Sequence, residues 1–331
     1  MSTILVTGAA GFIGFHVAMR LSARGERVLG VDDFNDYYEQ ELKIARAGRL
    51  SRDAHVDIRR VDVANPSAIR DLMAVEDVDR VIHLAAQAGV RYSLDHPFAY
   101  ERSNMAGHLS VLEACRHTPK LNHLVYASSS SVYGDRPSSG QAFKETDPVD
   151  HPISLYAASK RAGELMSDTY SHLFNIPQTG LRFFTVYGPW GRPDMAYFSF
   201  TRKALRGEPV AIFGEGRLQR DFTYIDDIVD GIVGVLDRPP LNGGHRILNI
   251  GNNQPRSLSD FVSIIEAACG RPLKKSILQM QPGDVSCTWA DVSAINGLTG
   301  YTPKTSLEVG ISEFVSWFRS RYTDDGEVRA N

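Results

Sequence analysis

The residues most suited to chemistry in this sequence are a tyrosine and a lysine four positions apart. Tyr156 and Lys160 lie in a segment whose pattern predicts a helix from Leu155 to His172, and a spacing of four places both side chains on one helix face. A tyrosine acts as a base near neutral pH only when nearby positive charge lowers its pKa. The pair is therefore a candidate base with its activating cation, and a solvated Tyr–Lys helix pair is the alternative interpretation.

Four consecutive serines, Ser128 to Ser131, follow a β-rich run over His123–Ala127. If that run is a strand of a parallel sheet, the serines lie at its carboxyl edge, where ligands bind in open α/β sheets. A serine hydroxyl opposite the Tyr–Lys pair would relay or share a substrate proton. A polar turn without chemistry is the other interpretation of this run.

A glycine-rich turn spans Thr7–Gly14, after a strand and at the start of a helix. Gly8 permits the tight turn, Gly11 lets a pyrophosphate approach the backbone at the helix N-terminus, and Gly14 lets the helix pack close to the sheet. The spacing is GxxGxxG, not the GxGxxG of ordinary dinucleotide folds. A tight turn that binds no ligand is the alternative.

Acidic residues follow the second and third predicted strands. Asp32 ends the second strand, and a carboxylate there accepts hydrogen bonds from adenosine ribose hydroxyls and repels a 2′-phosphate, which favours NAD over NADP. Asp33 adds to that repulsion. Asp62 and Val63, after the third strand, are candidates for an adenine contact, and an ordinary polar strand end is the alternative.

Strand-like and helix-like segments alternate through the first half of the chain. Strands are predicted at Thr3–Thr7, Arg27–Asp32, Asp57–Val61, Arg80–Leu84, His123–Ala127 and Thr179–Phe184. Between the first two, Ile13, Val17 and Leu21 recur every fourth residue and Gly25 follows, which is typical of an amphipathic helix with a C-terminal glycine. The alternation predicts an α/β fold with a Rossmann-like, doubly wound parallel sheet.

The pattern is less regular after residue 185. We expect a short strand at Pro209–Phe213 and helices at Asp226–Leu236, Ser257–Ala268 and Leu307–Phe318. We therefore expect residues 1–180, with part of 222–250, to form the dinucleotide-binding domain. Residues 181–322 are expected to form a smaller mixed α/β substrate domain interleaved with it, and residues 323–331 a polar tail.

Composition excludes several functional classes. The 331 residues include 36 Lys and Arg against 39 Asp and Glu, a formal charge of −3, which gives no electrostatic case for binding nucleic acid or a membrane surface. Cys115, Cys269 and Cys287 are far apart and form no metal-ligand motif, so we expect no metal and reduced thiols in a cytoplasmic protein. The sequence starts directly with an apolar strand and contains no long apolar run. We therefore expect neither a targeting segment nor a transmembrane span.

The glycine turn, Asp32, the serine run and the Tyr156–Lys160 pair together resemble the extended short-chain dehydrogenases/reductases. His83–Ala86 and Asn104 belong to the same resemblance, which runs from about residue 3 to residue 320 and points to the nucleotide-sugar epimerases and dehydratases. Three segments are similar to the UDP-glucuronate 4-epimerases in particular: Asp33–Tyr38, Gln87–Ser93 and Arg182–Ala196.

The resemblance implies a role for each matching residue. It implies that Tyr156 is the catalytic base, that Lys160 holds the nicotinamide ribose and tunes the tyrosine, and that Ser129 is the catalytic hydroxyl. The residues placed at the NAD site, by their motifs or by the resemblance, are Gly8, Gly11, Phe12, Ile13, Gly14, Asp32, Asp33, Asp62, Val63, Leu84, Ala85, Ala86, Asn104, Tyr156, Lys160 and Phe183. Those placed at the UDP-sugar site are Arg91, Ser129, Ser130, Ser131, Thr185, Arg192, Met195, Arg217, Arg220, Gln281 and Asp284.

Two positions of the serine run distinguish between the reactions of these enzymes. The family's dehydratases carry an Asp–Glu pair, and its decarboxylases a Glu, just before Val-Tyr-Gly, where this chain has Ser130 and Ser131. Without an acid there, elimination lacks its acid/base group and decarboxylation lacks its glutamate. The resemblance therefore implies C4 epimerisation of UDP-glucuronate to UDP-galacturonate through a transient 4-keto intermediate, with NAD as a reversible hydride carrier.

A carboxylated sugar poses a further requirement, because its 4-keto form is a β-keto acid that can lose CO₂. Ser130, Ser131 and Thr185 are candidates to hold the carboxylate by neutral hydrogen bonds, and Arg192 by its charge. A contact of Arg192 with the diphosphate is the alternative. Arg91 is open to either role or to capping its own loop.

Other activities and assemblies stay open at this point. A 4-epimerase of the UDP-glucose or UDP-N-acetylhexosamine type, a UDP-glucuronate decarboxylase and a non-catalytic NAD-binding scaffold are the alternatives. The resemblance also implies a homodimer joined by a four-helix bundle, formed by helices near Met105–Arg116 and Tyr156–Leu173. Burial of these helix faces within one chain is the other possibility.

Overall fold

Strands and helices alternate regularly up to Phe183, and the later elements are shorter and more varied. The computed structural model describes residues 3–135, 141–213, 216, 218–278, 287–323 and 328. The strands are β1 (Thr3–Thr7), β2 (Arg27–Asp32), β3 (Asp57–Arg60), β4 (Val78–His83), β5 (His123–Ser129), β6 (Gln178–Phe183), β7 (Thr185–Tyr187), β8 (Pro209–Phe213), β9 (Gln219–Tyr224), β10 (His245–Ile250), β11 (Pro255–Ser257), β12 (Lys274–Leu278) and β13 (Cys287–Thr288). The α-helices are α1 (Phe12–Ala23), α2 (Gln40–Asp53), α3 (Pro66–Val75), α4 (Tyr92–Asp95), α5 (Pro97–Tyr100), α6 (Gly107–Arg116), α7 (Leu155–Phe174), α8 (Ala196–Arg206), α9 (Ile225–Leu236), α10 (Leu258–Cys269), α11 (Ser293–Thr299) and α12 (Leu307–Arg321). A π-helical turn spans Glu101–Ala106, and a 3-10 turn spans Ser130–Tyr133.

Seven strands form one parallel sheet in the order β10-β6-β5-β4-β1-β2-β3. The order reverses between β1 and β4, which is the point where such sheets open a crevice for ligands. Every residue of β1 and of β6 is buried, as expected for strands that are covered by helices on both faces. The prediction of a doubly wound, Rossmann-like sheet is confirmed.

The two faces of the sheet pack into different cores. Ile4 and Val6 of β1 belong to a core that also contains α1, whereas Leu5 between them faces a second core. The second core includes Ile69 of α3 and Cys115 of α6. This alternation follows from the two-residue period of a strand.

β5 is longer than the apolar pattern predicted. It continues past Ala127 because Ser128 and Ser129 pair in register with Arg182 and Phe183 of β6. The Ser128 hydroxyl also has a buried acceptor, so its polarity does not end the strand. Ser129 is therefore the last strand residue, and Ser130 begins the 3-10 turn.

The later elements build a smaller lobe around β9. This strand pairs with β7, β11 and β13, and β8 pairs with β12. Phe222 of β9 stacks on Phe261 of α10, with ring centroids 4.5 Å apart, in a core that is continuous with the α1 side of the large sheet. Two segments return to the first lobe: α9 packs against α1, and β10 forms an edge of the large sheet. In the described part of the chain, no helix is both long and apolar enough to cross a bilayer.

Candidate active site

A cleft of about 430 Å³ opens at the carboxyl ends of the parallel strands. Most residues singled out from the sequence line it, and they come from segments that are far apart in the chain. Those from the first lobe are Gly8, Gly11, Phe12, Ile13, Gly14, Asp32, Asp33, Asp62, Val63, Leu84, Ala85, Ala86, Ser129, Ser130, Ser131, Tyr156, Lys160 and Phe183. Those from the segment that leads into the smaller lobe are Thr185, Arg192 and Met195.

Three predicted site residues lie outside this lining, and three more lie outside the described residues. Asn104 is behind the cleft wall, Arg91 is exposed at the start of α4, and Arg220 lies on β9, where it donates to the carbonyl of Gln219 at 2.8 Å. Arg217, Gln281 and Asp284 belong to the part of the chain that the structure does not describe.

The glycine turn has the shape that a dinucleotide needs. Gly8 has φ +69°, and a Cβ there would lie 2.8 Å from the backbone nitrogen of Ala85. A Cβ on Gly14 would overlap the carbonyl of Gly8, so the first turn of α1 can pack against the glycine turn only because residue 14 has no side chain. Gly11 caps α1, and this helix has no side-chain cap and no acidic residue in its first turn. Its first amides are thus suited to a phosphate.

Asp32 is tied to this turn. Its carboxylate accepts hydrogen bonds from the backbone amides of Ala10 at 3.1 Å and Phe34 at 2.9 Å. Lys43, which the sequence analysis did not single out, also lines the cleft, and its ammonium is bound to the carbonyl and side-chain oxygens of Asn35. Burial raises the pKa of Asp32 and lowers that of Lys43, and each charge opposes the shift of the other.

The catalytic candidates converge where β5 meets α7. Ser154 caps α7 by accepting from the amide of Ala157, which places Tyr156 in the first turn. Burial raises the pKa of the Tyr156 phenol, while a hydrogen bond with Ser129 and the charge of Arg192 lower it. Burial lowers the pKa of Lys160 to about 8, and its ammonium donates to the carbonyl of Ala127 at 2.9 Å. The predicted triad is therefore assembled in one place.

Asn104 supports the cleft wall from behind. Its side-chain oxygen accepts from the amide of Gln87 at 2.8 Å, and its side-chain nitrogen donates to the carbonyl of Gln87 at 3.0 Å and to Ser159 at 2.9 Å. Since Gln87 lines the cleft and Ser159 precedes Lys160, Asn104 connects the wall after β4 to α7. It lies in the π-helical turn, a distortion that often marks functional sites.

A buried ion pair, which the sequence analysis also missed, holds α7 against the sheet. Glu164 accepts from Arg182 in bidentate fashion, at 2.8 and 2.9 Å, and from Ser128 at 2.6 Å. Both ions are almost fully excluded from water. The half-exposed Arg161 adds a fourth hydrogen bond to Glu164 at 3.1 Å. Since the two residues are 18 positions apart and follow no local motif, no sequence signal pairs them.

Comparison with known proteins agrees with this geometry. Residues 4–251 match the NAD dependent epimerase/dehydratase family. The chain belongs to this family. Membership confirms the resemblance inferred from the motifs, and with it the prediction of NAD as cofactor.

Individual relatives are similar over almost the whole chain. UDP-glucuronate 4-epimerase 4 of Arabidopsis thaliana is 44% identical, over 99% of this chain and 78% of its own length. Protein CapI of Staphylococcus aureus is 42% identical, over 96% of this chain and 99% of its own. The crystal structure of UDP-glucuronic acid 4-epimerase from Bacillus cereus, in complex with UDP-glucuronic acid and NAD, is 37% identical, with a TM-score of 0.89 over 97% of this chain and all of that one.

The buried ion pair yields a stability prediction. Replacing Glu164 by Ala leaves the buried Arg182 charge without its counter-ion, which should lower the free energy of unfolding by about 3–5 kcal/mol. Arg161→Ala is the matched control, because it removes the half-exposed partner of the same carboxylate and should cost at most about 1 kcal/mol. Urea unfolding followed by circular dichroism measures both. Equal losses in the two variants would contradict this account.

Proposed function

We propose that this chain is an NAD-dependent 4-epimerase that interconverts UDP-glucuronate and UDP-galacturonate. The observation that carries the proposal is that no described residue of the cleft lining beside Ser129, Tyr156 and Lys160 is an acid. Among the described lining residues, the carboxylates are Asp32 at the end of β2, Asp33 just after it, and Asp62 after β3. β2 lies three strands from β5, about 14 Å away. The two residues that follow Ser129 are Ser130 and Ser131, so the described lining offers no acid beside Ser129 for dehydration or decarboxylation.

The cleft fits the cofactor of this reaction. Backbone atoms leave no room for side chains at Gly8 and Gly14, so the backbone of the turn is accessible to a pyrophosphate. The bond from the Ala10 amide holds Asp32 where it would receive an adenosine ribose. Asp62 and Val63 line the same part of the cleft, and Leu84, Ala85, Ala86 and Phe183 complete its apolar wall. NAD bound there supplies a carbon that accepts a hydride from the sugar and returns it.

Tyr156 acts as the general base and then the general acid of the reaction. Its phenolate takes the proton of the C4 hydroxyl, assisted by the Ser129 hydroxyl. After the 4-keto sugar has rotated to present its other face, Tyr156 returns the proton. Burial raises the pKa of Tyr156. The ammonium of Lys160, held in place by its bond to Ala127, would lower it, and a bound nicotinamide would add positive charge to the same effect.

The carboxylate of the sugar must be held out of line with the new C4 carbonyl. Ser130, Ser131 and Thr185 line the cleft beside Ser129 and offer neutral donors. Arg192 lines it as well and acts on Tyr156 through its charge, so its guanidinium lies within electrostatic reach of the reacting end of the cleft. This position favours a carboxylate contact over a diphosphate contact for Arg192. It also favours a uronate over the neutral UDP-sugars that are the alternative substrates.

We also propose that the chain works in the cytoplasm as a homodimer. Two adjacent helical segments, Glu101–Arg116 and α7, leave apolar side chains exposed. Leu109 is 41% and Leu165 is 52% exposed, and Met105 and Leu173 are exposed beside them. Pairing these segments with those of a second copy would bury the four side chains in a four-helix bundle.

Activity is tested by incubating the NAD-loaded protein with UDP-glucuronate and following the sugar by NMR. We expect UDP-galacturonate as the product, with no loss of carbon. The Tyr156→Phe variant should lose about 10²–10⁴-fold in rate, because it keeps the ring and removes the proton-transfer group. Formation of UDP-xylose or of a 4-keto pentose would refute the assignment, and full activity of Tyr156→Phe would refute the mechanism.

The pH dependence follows from the lowered pKa of Lys160. Its ammonium is present below its pKa of about 8 and is lost as the pH rises through that value. Because neutral Lys160 cannot stabilise the Tyr156 phenolate, kcat/KM should fall above about pH 8. In Lys160→Arg the guanidinium stays charged, so a slower enzyme should keep its rate up to about pH 10. A parallel decline in both enzymes would show that another group titrates.

The dimer is tested by sedimentation equilibrium. The protein should sediment at twice its chain mass of 36.6 kDa. Leu165→Asp places a charge in the proposed bundle and should give the monomer. Val75→Asp, at a more exposed apolar residue on α3, should leave the dimer intact. A monomeric wild-type protein would contradict the proposal.

A further inference from the structure

Arg192 is already paired with a carboxylate of its own chain. Its Nε donates to Oδ1 of Asp194 at 3.0 Å, and its Nη2 donates to Oδ2 at 2.8 Å. These are the two parallel bonds by which a guanidinium grips a carboxylate. The two side chains are only partly exposed, at 23% for Arg192 and 30% for Asp194.

Asp194 is held in this position from the other lobe. Tyr37 lies in the segment after β2, and its hydroxyl donates to Oδ2 of Asp194 at 3.1 Å. Tyr37 is itself fixed by an edge contact with Tyr92, with ring centroids 4.7 Å apart. Tyr37 and Arg192 both line the cleft, whereas Asp194 lies behind Arg192 and outside the lining.

This arrangement makes Asp194 a competitor of an anionic ligand. Two carboxylates cannot occupy the same pair of N–H donors, and two negative charges on one guanidinium repel each other. A ligand carboxylate that uses Arg192 must therefore displace Asp194 or share the cation with it. A neutral hydroxymethyl group in the same place leaves the Arg192–Asp194 pair intact.

We propose that Asp194 is a specificity-determining residue, an internal carboxylate that neutralises Arg192 until substrate binds and is then exchanged for the carboxylate of the substrate. The inference rests on the proposed function, since it takes the sugar carboxylate to be the group that Arg192 receives. It deepens that function, because Asp194 then sets how strongly the enzyme prefers a uronate to a neutral sugar.

The test measures binding rather than turnover. Calorimetry is carried out on NAD-loaded protein in the Tyr156→Phe background, with UDP-glucuronate, UDP-glucose and UDP as three separate ligands. Asp194→Asn keeps the shape of the side chain and removes its charge, so Arg192 is released. We expect the affinity for UDP-glucuronate to rise about tenfold, while the affinities for UDP-glucose and UDP change less than about twofold. Asp71→Asn, which removes an exposed charge paired with Arg70 on α3, is the matched control and should change none of the three.

Each other result overturns the proposal. An equal rise for all three ligands would mean that Arg192 serves the diphosphate. No change, or weaker binding of UDP-glucuronate, would mean that Asp194 does not compete with the substrate. Failure of the proposed function is seen separately, because it would appear as a lack of conversion of UDP-glucuronate by the wild-type protein, whatever the affinities.

Discussion

The buried pair of Glu164 and Arg182 is the interaction on which the catalytic geometry depends. Glu164 lies one helical turn after Lys160, Arg182 precedes the cleft residue Phe183, and Ser128 precedes Ser129. One carboxylate therefore fixes α7, β5 and β6 against each other at the level of the site. Because an unpaired charge cannot stay in such a dry environment, the helix cannot shift along the sheet without a large loss of stability.

The same principle recurs at the other joints of the molecule. Asp221 on β9 is fully buried and accepts from the backbone amides of Asn252, Asn253 and Ala290, at 2.7 to 3.0 Å. It fastens the smaller lobe to the loop after β10 as Asn104 fastens the cleft wall to α7. The apolar cores support the sheet from both sides, but satisfied buried polar groups set the relative positions of the segments that form the cleft.

Local sequence patterns were sufficient for the fold and for choosing Ser129, Tyr156 and Lys160, which the structure brings to one cleft. The strands and the glycine turn follow from periodicity and from residues with one conformational use, and the Tyr156–Lys160 spacing is a property of a single helix. The ion pairs of Glu164 with Arg182 and of Arg192 with Asp194 were not predicted, and neither was the charge of Lys43 close to Asp32. They depend on tertiary contacts between distant elements or on the rotamer of a side chain, and local sequence patterns predict neither. The position of Asn104 behind the wall could not be predicted for the same reason.

The bond between Asp32 and the amide of Ala10 has a consequence for how cofactor use could evolve. The carboxylate that we expect to select against a 2′-phosphate is also a structural part of the turn that we expect to receive the pyrophosphate. Exchanging Asp32 for a small neutral residue would admit the bulkier dinucleotide and, in the same step, loosen the grip on either one. Since one residue serves both purposes, the preference for NAD is difficult to change by a single substitution. A second, compensating substitution in the turn would be needed.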